Sequence, residues 1–154
     1  TNDSVGSVQR LLNMGVRSDD LGTSSNAFMA QRLVRKLCSC KEKVKPSKED
    51  MEKINRVVKS INSKAGVKIP SAKNIYKPNG CEKCNGLGYK GRTTVSEVLV
   101  IDKEIKEMIF QNAFSTQIRD KAIEKGMLTM AQDGILKVLE GETTLEEVER
   151  VTEE

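Results

Sequence analysis

Four cysteines in two close pairs constrain this 154-residue chain more than any other feature. Ser39 alone separates Cys38 from Cys40, while Glu82 and Lys83 separate Cys81 from Cys84, and Gly86, Gly88 and Gly91 follow. A two-residue gap lets both thiolates of the second pair face one metal ion. The glycines permit positive-φ turns that aim backbone N–H groups at the sulfurs. Four thiolates fill every position of a tetrahedral site, which makes such a site structural rather than catalytic. With no histidine in the chain, a Cys₃His site and every Cys/His or Ser/His/Asp catalytic arrangement are excluded. No secretory signal opens the sequence, so the paired cysteines read as a cytosolic metal site rather than a disulfide framework. The expectation is structural Zn²⁺ held by Cys38, Cys40, Cys81 and Cys84. The single-residue gap of the first pair is irregular. An extended C-x-C places both side chains on one side, but its loop cannot make the usual N–H to sulfur pattern. The alternatives are free or partly bound thiols, or Glu42 or water completing the shell.

The ion is expected to matter because aromatic residues are scarce: no Trp, 2 Tyr and 3 Phe. Residues 41–80, enclosed by the two pairs, therefore have little core of their own. Loss of one ligand, Cys81→Ser, is expected to loosen residues 38–91 and leave the C-terminal helices folded. Apolar residues make up 37% of the chain, enough for a thin aliphatic core and too much for a disordered tail. No apolar run is longer than that from Val98 to Ile101, far short of a membrane span. Basic residues dominate the first half and acidic ones the second. No aromatic is interleaved with the lysines, which argues against a single-stranded nucleic-acid platform and for a solvated face. No nucleic acid is expected as a partner.

Asp3 reads as the cap of a helix carrying Val5, Val8, Leu11 and Leu12 on one face, stopped by Gly15. Ser18 or Asp19 opens a second helix expected to run to about Leu37, since Leu21, Phe28, Leu33 and Leu37 fall near helical spacing. Ser47 with Asp50 makes a variant capping box for a helix bearing Met51, Ile54, Val58 and Ile61. Pro70 and Pro78 bracket an extended piece, and Thr93 to Ile101 is a β-branched strand. Beyond it Asp102, Ser115 and Thr129 stand at cap positions, and Thr144 with Glu147 opens a last helix. Glu140, Glu142, Glu146, Glu147 and Glu149 read as the outer face of that helical end. The chain has no GxxxxGK[ST] loop to cradle phosphates, so no self-sufficient catalytic site and no catalytic residue is expected.

Several segments taken together are more specific. Thr1-Asn2-Asp3-Ser4 followed by Arg10-Leu11-Leu12-Asn13-Met14-Gly15-Val16 comes first. Ala30-Gln31-Arg32-Leu33-Val34-Arg35-Lys36-Leu37-Cys38 comes next, then Cys81 to Arg92 with Glu97-Val98-Leu99. Gly126-Met127, Asp133-Gly134 and Gly141 to Val148 complete the series. In this order they resemble the type II/IV secretion ATPases, motors of type II secretion and type IV pilus assembly, from just after the family's histidine box to its C-terminal helices. The resemblance implies an α/β, helix-rich fold: the C-terminal end of a RecA-like P-loop ATPase domain with an inserted tetracysteine zinc module and terminal helices. It divides the chain into 1–37, the end of the ATPase domain, 38–91, the zinc module, and 92–154, a strand and helical region. It also implies a parent that is a cytoplasmic homo-hexamer, peripheral at the inner membrane, contacting the inner-membrane platform protein. ATP and Mg²⁺ would bind only in that complete parent, and the fragment alone is expected to be inactive. As a fragment, it would leave Leu12, Phe28 and Leu33 partly exposed. The family's usual first pair is C-x-x-C, and Thr94 and Ser96 stand where it tends to have Gly and an aromatic residue. Retraction ATPases lack the cysteines, which favours assembly or secretion; the choice between these two stays open. The alternative reading is a free-standing zinc knuckle that binds nucleic acid through its basic half. A chaperone cysteine-rich domain repeats its motif, whereas this chain has it once.

Overall fold

The structure is a computed structural model describing residues 2–152; Thr1 of the opening motif lies outside the described residues, as do Glu153 and Glu154. The Asp3 side chain accepts the Gly6 N–H at the start of α1 (Ser4–Asn13), as its sequence position implies. Val5 and Val8 are buried on the expected face, and Gly15 follows the helix at φ 91°. A second short helix, α2 (Ser18–Ser24), then ends, and the sequence expectation fails at this point. Residues Ala27–Leu37 are not helical; they form strand β1. Phe28 and Ala30 are more covered than Ala27, Met29 and Gln31, an alternation of period two that the wider leucine spacing concealed. Ser25 is extended and breaks the helix. The backbone polar groups beyond it pair with another strand instead of along a helix, so tertiary pairing overrides the local pattern.

Four further elements follow: β2 (Glu42–Val44), α3 (Lys48–Lys59), β3 (Ile75–Lys77) and β4 (Tyr89–Val100). The chain then continues through α4 (Lys103–Phe110), α5 (Ser115–Glu124), α6 (Met130–Glu140) and α7 (Leu145–Thr152). Helix thus predominates over strand among the described residues, in a mixed helix and strand fold. Strand β1 pairs with β4 in a two-stranded sheet. The N–H of Cys38 reaches the carbonyl of Gly88 beyond one end, and the N–H of Ile101 reaches that of Asn26 beyond the other, so the strands are antiparallel. Strands β2 and β3 form a second antiparallel pair in the register Glu42↔Lys77, Lys43↔Tyr76, Val44↔Ile75.

The chain divides into two compact units, each drawing on all three segments expected from sequence. One comprises residues 2–31, 62–66 and 97–129. Its core is Val5, Val8, Leu21, Leu99, Ile101, Ile105, Ile109, Ile118 and Ala122. In it α2 packs on α4, and α5 packs on both α1 and α4. Asp102 caps α4 by accepting the Ile105 N–H at 3.1 Å. The cap of α5 is Phe114 instead of the expected Ser115, with Gln117 accepting its backbone N–H at 3.1 Å. Glu97 is buried and accepts both the backbone N–H and the hydroxyl of the buried Ser4, each at 2.8 Å, satisfying one of the unpaired N–H groups at the start of α1.

The other unit comprises residues 32–61, 67–96 and 130–152. Ile54 of α3 and Ile75 of β3 are buried with Ile135, Val138 and Leu139 of α6 and Leu145 and Val148 of α7. The region between the cysteine pairs thus has little core of its own, as expected, but its buried residues join a core shared with the C-terminal helices. Ser47 and Asp50 close a reciprocal capping box at the start of α3. At α7 only half of the expected box forms. Thr144 accepts the Glu147 N–H at 3.4 Å, but the Glu147 side chain goes elsewhere. At 2% exposure Glu147 is buried, contrary to its reading as an outer-face residue. It accepts the Arg35 backbone N–H at 2.8 Å and pairs with the guanidinium groups of Arg35 and Arg150.

Candidate metal centre

Strand β1 ends in Leu37, and the next residues turn, with the Lys41 N–H bonded to the Cys38 carbonyl at 3.0 Å. The second pair sits on a short 3₁₀ turn, Glu82–Cys84, that Cys81 opens in an extended conformation. The chain then reverses through three left-handed residues: Asn85 at φ 52°, Gly86 at 76° and Gly88 at 75°. At Gly88 a Cβ would lie 2.5 Å from the Pro78 side chain and 2.8 Å from the Asn79 carbonyl, so no larger residue fits. The bond from the Cys38 N–H to the Gly88 carbonyl, 2.9 Å, ties the two cysteine segments together.

These turns bring the four sulfurs within 4.8 Å of one another. Cys38 and Cys81 are 3.8 Å apart, Cys40 and Cys84 3.8 Å, and Cys81 and Cys84 3.6 Å. A tetrahedron with metal–sulfur bonds of about 2.3 Å has an edge of about 3.8 Å. These three separations fit that edge, so the four cysteines could hold one metal ion. The alternative of Glu42 completing the shell is unnecessary: Glu42 lies on β2 opposite Lys77, and Cys40 reaches the cluster despite the single-residue gap.

The surroundings suit thiolates. Cys84 accepts the N–H of Cys81 at 3.3 Å and that of Gly88 at 3.2 Å. Burial opposes ionisation of Cys84, but those two backbone donors together with the Cys81 and Cys40 thiols outweigh it and bring its pKa down to about 6. The Cys40 backbone N–H is the main cause that lowers the Cys38 pKa. Desolvation, followed by the neighbouring sulfurs, pushes Cys40 up to about 12. Its thiol donates to the Asn79 carbonyl at 2.8 Å. Sulfurs this close cannot all be anionic without a cation among them, so binding a divalent ion would expel protons, from Cys40 above all.

Next to the cluster lies a network that the sequence did not disclose. The Arg35 guanidinium stacks 4.2 Å over the Tyr89 ring, and the Tyr89 hydroxyl and Thr144 hydroxyl are 3.1 Å apart. Thr143 donates to the Arg35 carbonyl at 2.8 Å. Arg35 and Glu147 are 112 positions apart, and no local pattern links them. Gln31 and Arg32, quoted above for the family resemblance, are exposed on β1.

The chain is a mixed helix and strand protein with a tetracysteine cluster that could hold a metal ion, and comparison with known sequences places it further. The chain matches the family described as type II/IV secretion system protein over residues 1–150, and it belongs to that family. It is 40% identical over 149 residues to the type IV pilus assembly ATPase PilB of Thermus thermophilus, covering 96% of this chain and 16% of that protein. It is 40% identical over 155 residues to the type II secretion system ATPase E of Vibrio cholerae, covering 100% and 28%. With the PilB of Myxococcus xanthus the identity is 35% over 148 residues, covering 96% and 25%. The chain thus spans less than a third of each of these relatives. No helix among its described residues is long and apolar enough to cross a membrane.

Proposed function

We propose that the chain is the C-terminal part of a hexameric ATPase that powers type IV pilus assembly or type II secretion. In this reading residues 1–37 complete a RecA-like nucleotide-binding domain, 38–91 form the zinc module and 92–154 the terminal strand and helices. The observation that carries the reading is a family match along nearly the whole chain, to relatives named as pilus assembly and secretion ATPases. The converging sulfurs add physical support for a bound ion. Zn²⁺ held by Cys38, Cys40, Cys81 and Cys84 would be structural, with every position filled by protein sulfur. ATP and Mg²⁺ belong to the complete motor, because this chain carries no phosphate loop to grip the β- and γ-phosphates. The motor would work in the cytoplasm at the inner membrane, with the zinc module or its neighbours contacting the platform protein.

The test is paired. A longer polypeptide that includes this chain and an upstream phosphate loop should hydrolyse ATP in a Mg²⁺-dependent manner. The 154-residue chain alone should not exceed a buffer blank. Turnover by the short chain, with contaminating ATPase excluded, or none by the long one, overturns the reading.

A further inference from the structure

Three close sulfur contacts each join a half-buried thiol to a buried one: Cys81 to Cys84, Cys81 to Cys38, and Cys40 to Cys84. Cys38 and Cys84 are only 3% and 4% exposed. An oxidant arriving from solvent therefore meets Cys81 or Cys40 first, with a protected sulfur already within 4 Å to complete the reaction. Cys81 belongs to two of these pairs, and its separation from Cys84, 3.6 Å, is shorter than its 3.8 Å separation from Cys38. The Cys40 thiol is held by the Asn79 carbonyl. Two intervening residues let a Cys81–Cys84 bond close within one turn, without drawing the distant cysteine segment along.

We propose that Cys81 is a redox modification site, oxidised first by a hydroperoxide-class oxidant and resolved by Cys84 into a disulfide that releases the metal. In the first step the peroxide O–O bond breaks and the Cys81 sulfur gives up two electrons to form an S–O bond, a sulfenic acid. The other oxygen leaves and takes a proton to become water or an alcohol. The Cys84 thiolate then attacks the Cys81 sulfur, an S–S bond forms, and hydroxide leaves and is protonated to water. Cys38 and Cys40 are then the only thiols left, two ligands where a structural zinc needs four. Only this last step rests on the metal reading above; the disulfide chemistry follows from sulfur positions alone.

The experiment treats the reduced 154-residue chain, with and without one equivalent of Zn²⁺, with hydrogen peroxide. Metal release is read with a chromophoric chelator and the first disulfide by peptide mapping. The expected result is a Cys81–Cys84 disulfide in both forms, one zinc released per chain, and reversal of both by dithiothreitol. Cys81→Ser should slow disulfide formation at least tenfold. Mapping the unmutated chain keeps the test valid if that variant folds poorly. A first disulfide through Cys38 or Cys40, a lone sulfinic acid at Cys81, or zinc retained after disulfide formation overturns the inference. Failure to bind zinc at the outset strikes the metal reading instead, and the metal-free arm still decides the disulfide.

Discussion

Glu147 illustrates how much one side chain can depend on distant sequence. Burial alone would raise its pKa, yet Arg150, Arg35 and the Arg35 backbone N–H together hold it at about 2, below the usual 4.5. A carboxylate with a depressed folded-state pKa stabilises the fold above its unfolded value and loses that contribution as pH falls. The loss should therefore fall between about pH 4.5 and pH 2. Both arginine side chains are 56% exposed, so solvent screening leaves roughly 2 kcal/mol of the effect. Urea titrations across that window should show Glu147→Gln less stable than the parent at pH 7 and nearly equal to it at pH 2. A constant difference at all pH values would refute the ion-pair account. At the metal site, Cys81→Ser should weaken zinc binding by more than about 100-fold in competition with a chelator, since three sulfurs leave an open position. Because Ile54 and Ile75 share a core with α6 and α7, the loosening should centre on the segments around the cysteines, sparing α3, contrary to the broader effect the sequence suggested. Hydrogen exchange distinguishes the two: persistent protection in 48–59 supports the local effect.

Between elements, the contact of α6 with α7 depends on a missing side chain. A Cβ at Gly134 would sit 2.4 Å from a methyl of Val148, so the helices approach as closely as they do only because position 134 has none. In an open helix Gly→Ala gains up to about 1 kcal/mol from propensity. Here overpacking costs about 1–3 kcal/mol and should win. Gly134→Ala should lower the melting temperature, and Gly134→Ala with Val148→Ala should destabilise by less than the sum of the two single changes. Strand β1 makes the opposite point about elements. Its residues read as helical from leucine spacing, yet an antiparallel partner some sixty positions downstream in the chain satisfies its backbone.

For the molecule as a whole, two aliphatic cores carry the fold, and only one of them neighbours the cysteines. Chelation of the metal should strip protection from amides around Cys38, Cys84 and Gly88. The core of Val5, Leu99, Ile105 and Ile109 contains no cysteine and should keep its amides protected. Equal loss of exchange protection in both would show that the ion stabilises the chain globally. The charge imbalance between the two halves of the sequence partly resolves into ion pairs, as in Lys53 with Glu149 at 2.8 Å, consistent with a solvated face.

Sequence alone determined what short-range chemistry encodes. The cap at Asp3, the box at Ser47 and Asp50, the strand around Val95, the close spacing within each cysteine pair and the glycine turns behind the second pair each rest on neighbours within a few residues. Such signals are local, so they survive without knowledge of the fold. What the tertiary structure decided involves partners far apart along the chain: β1 as a strand against β4, Ile54 and Ile75 buried beneath α6 and α7, and Glu147 drawn inward to Arg35. Backbone polar groups and buried charges must find partners wherever the fold supplies them, and no local pattern of residues records which distant segment that will be.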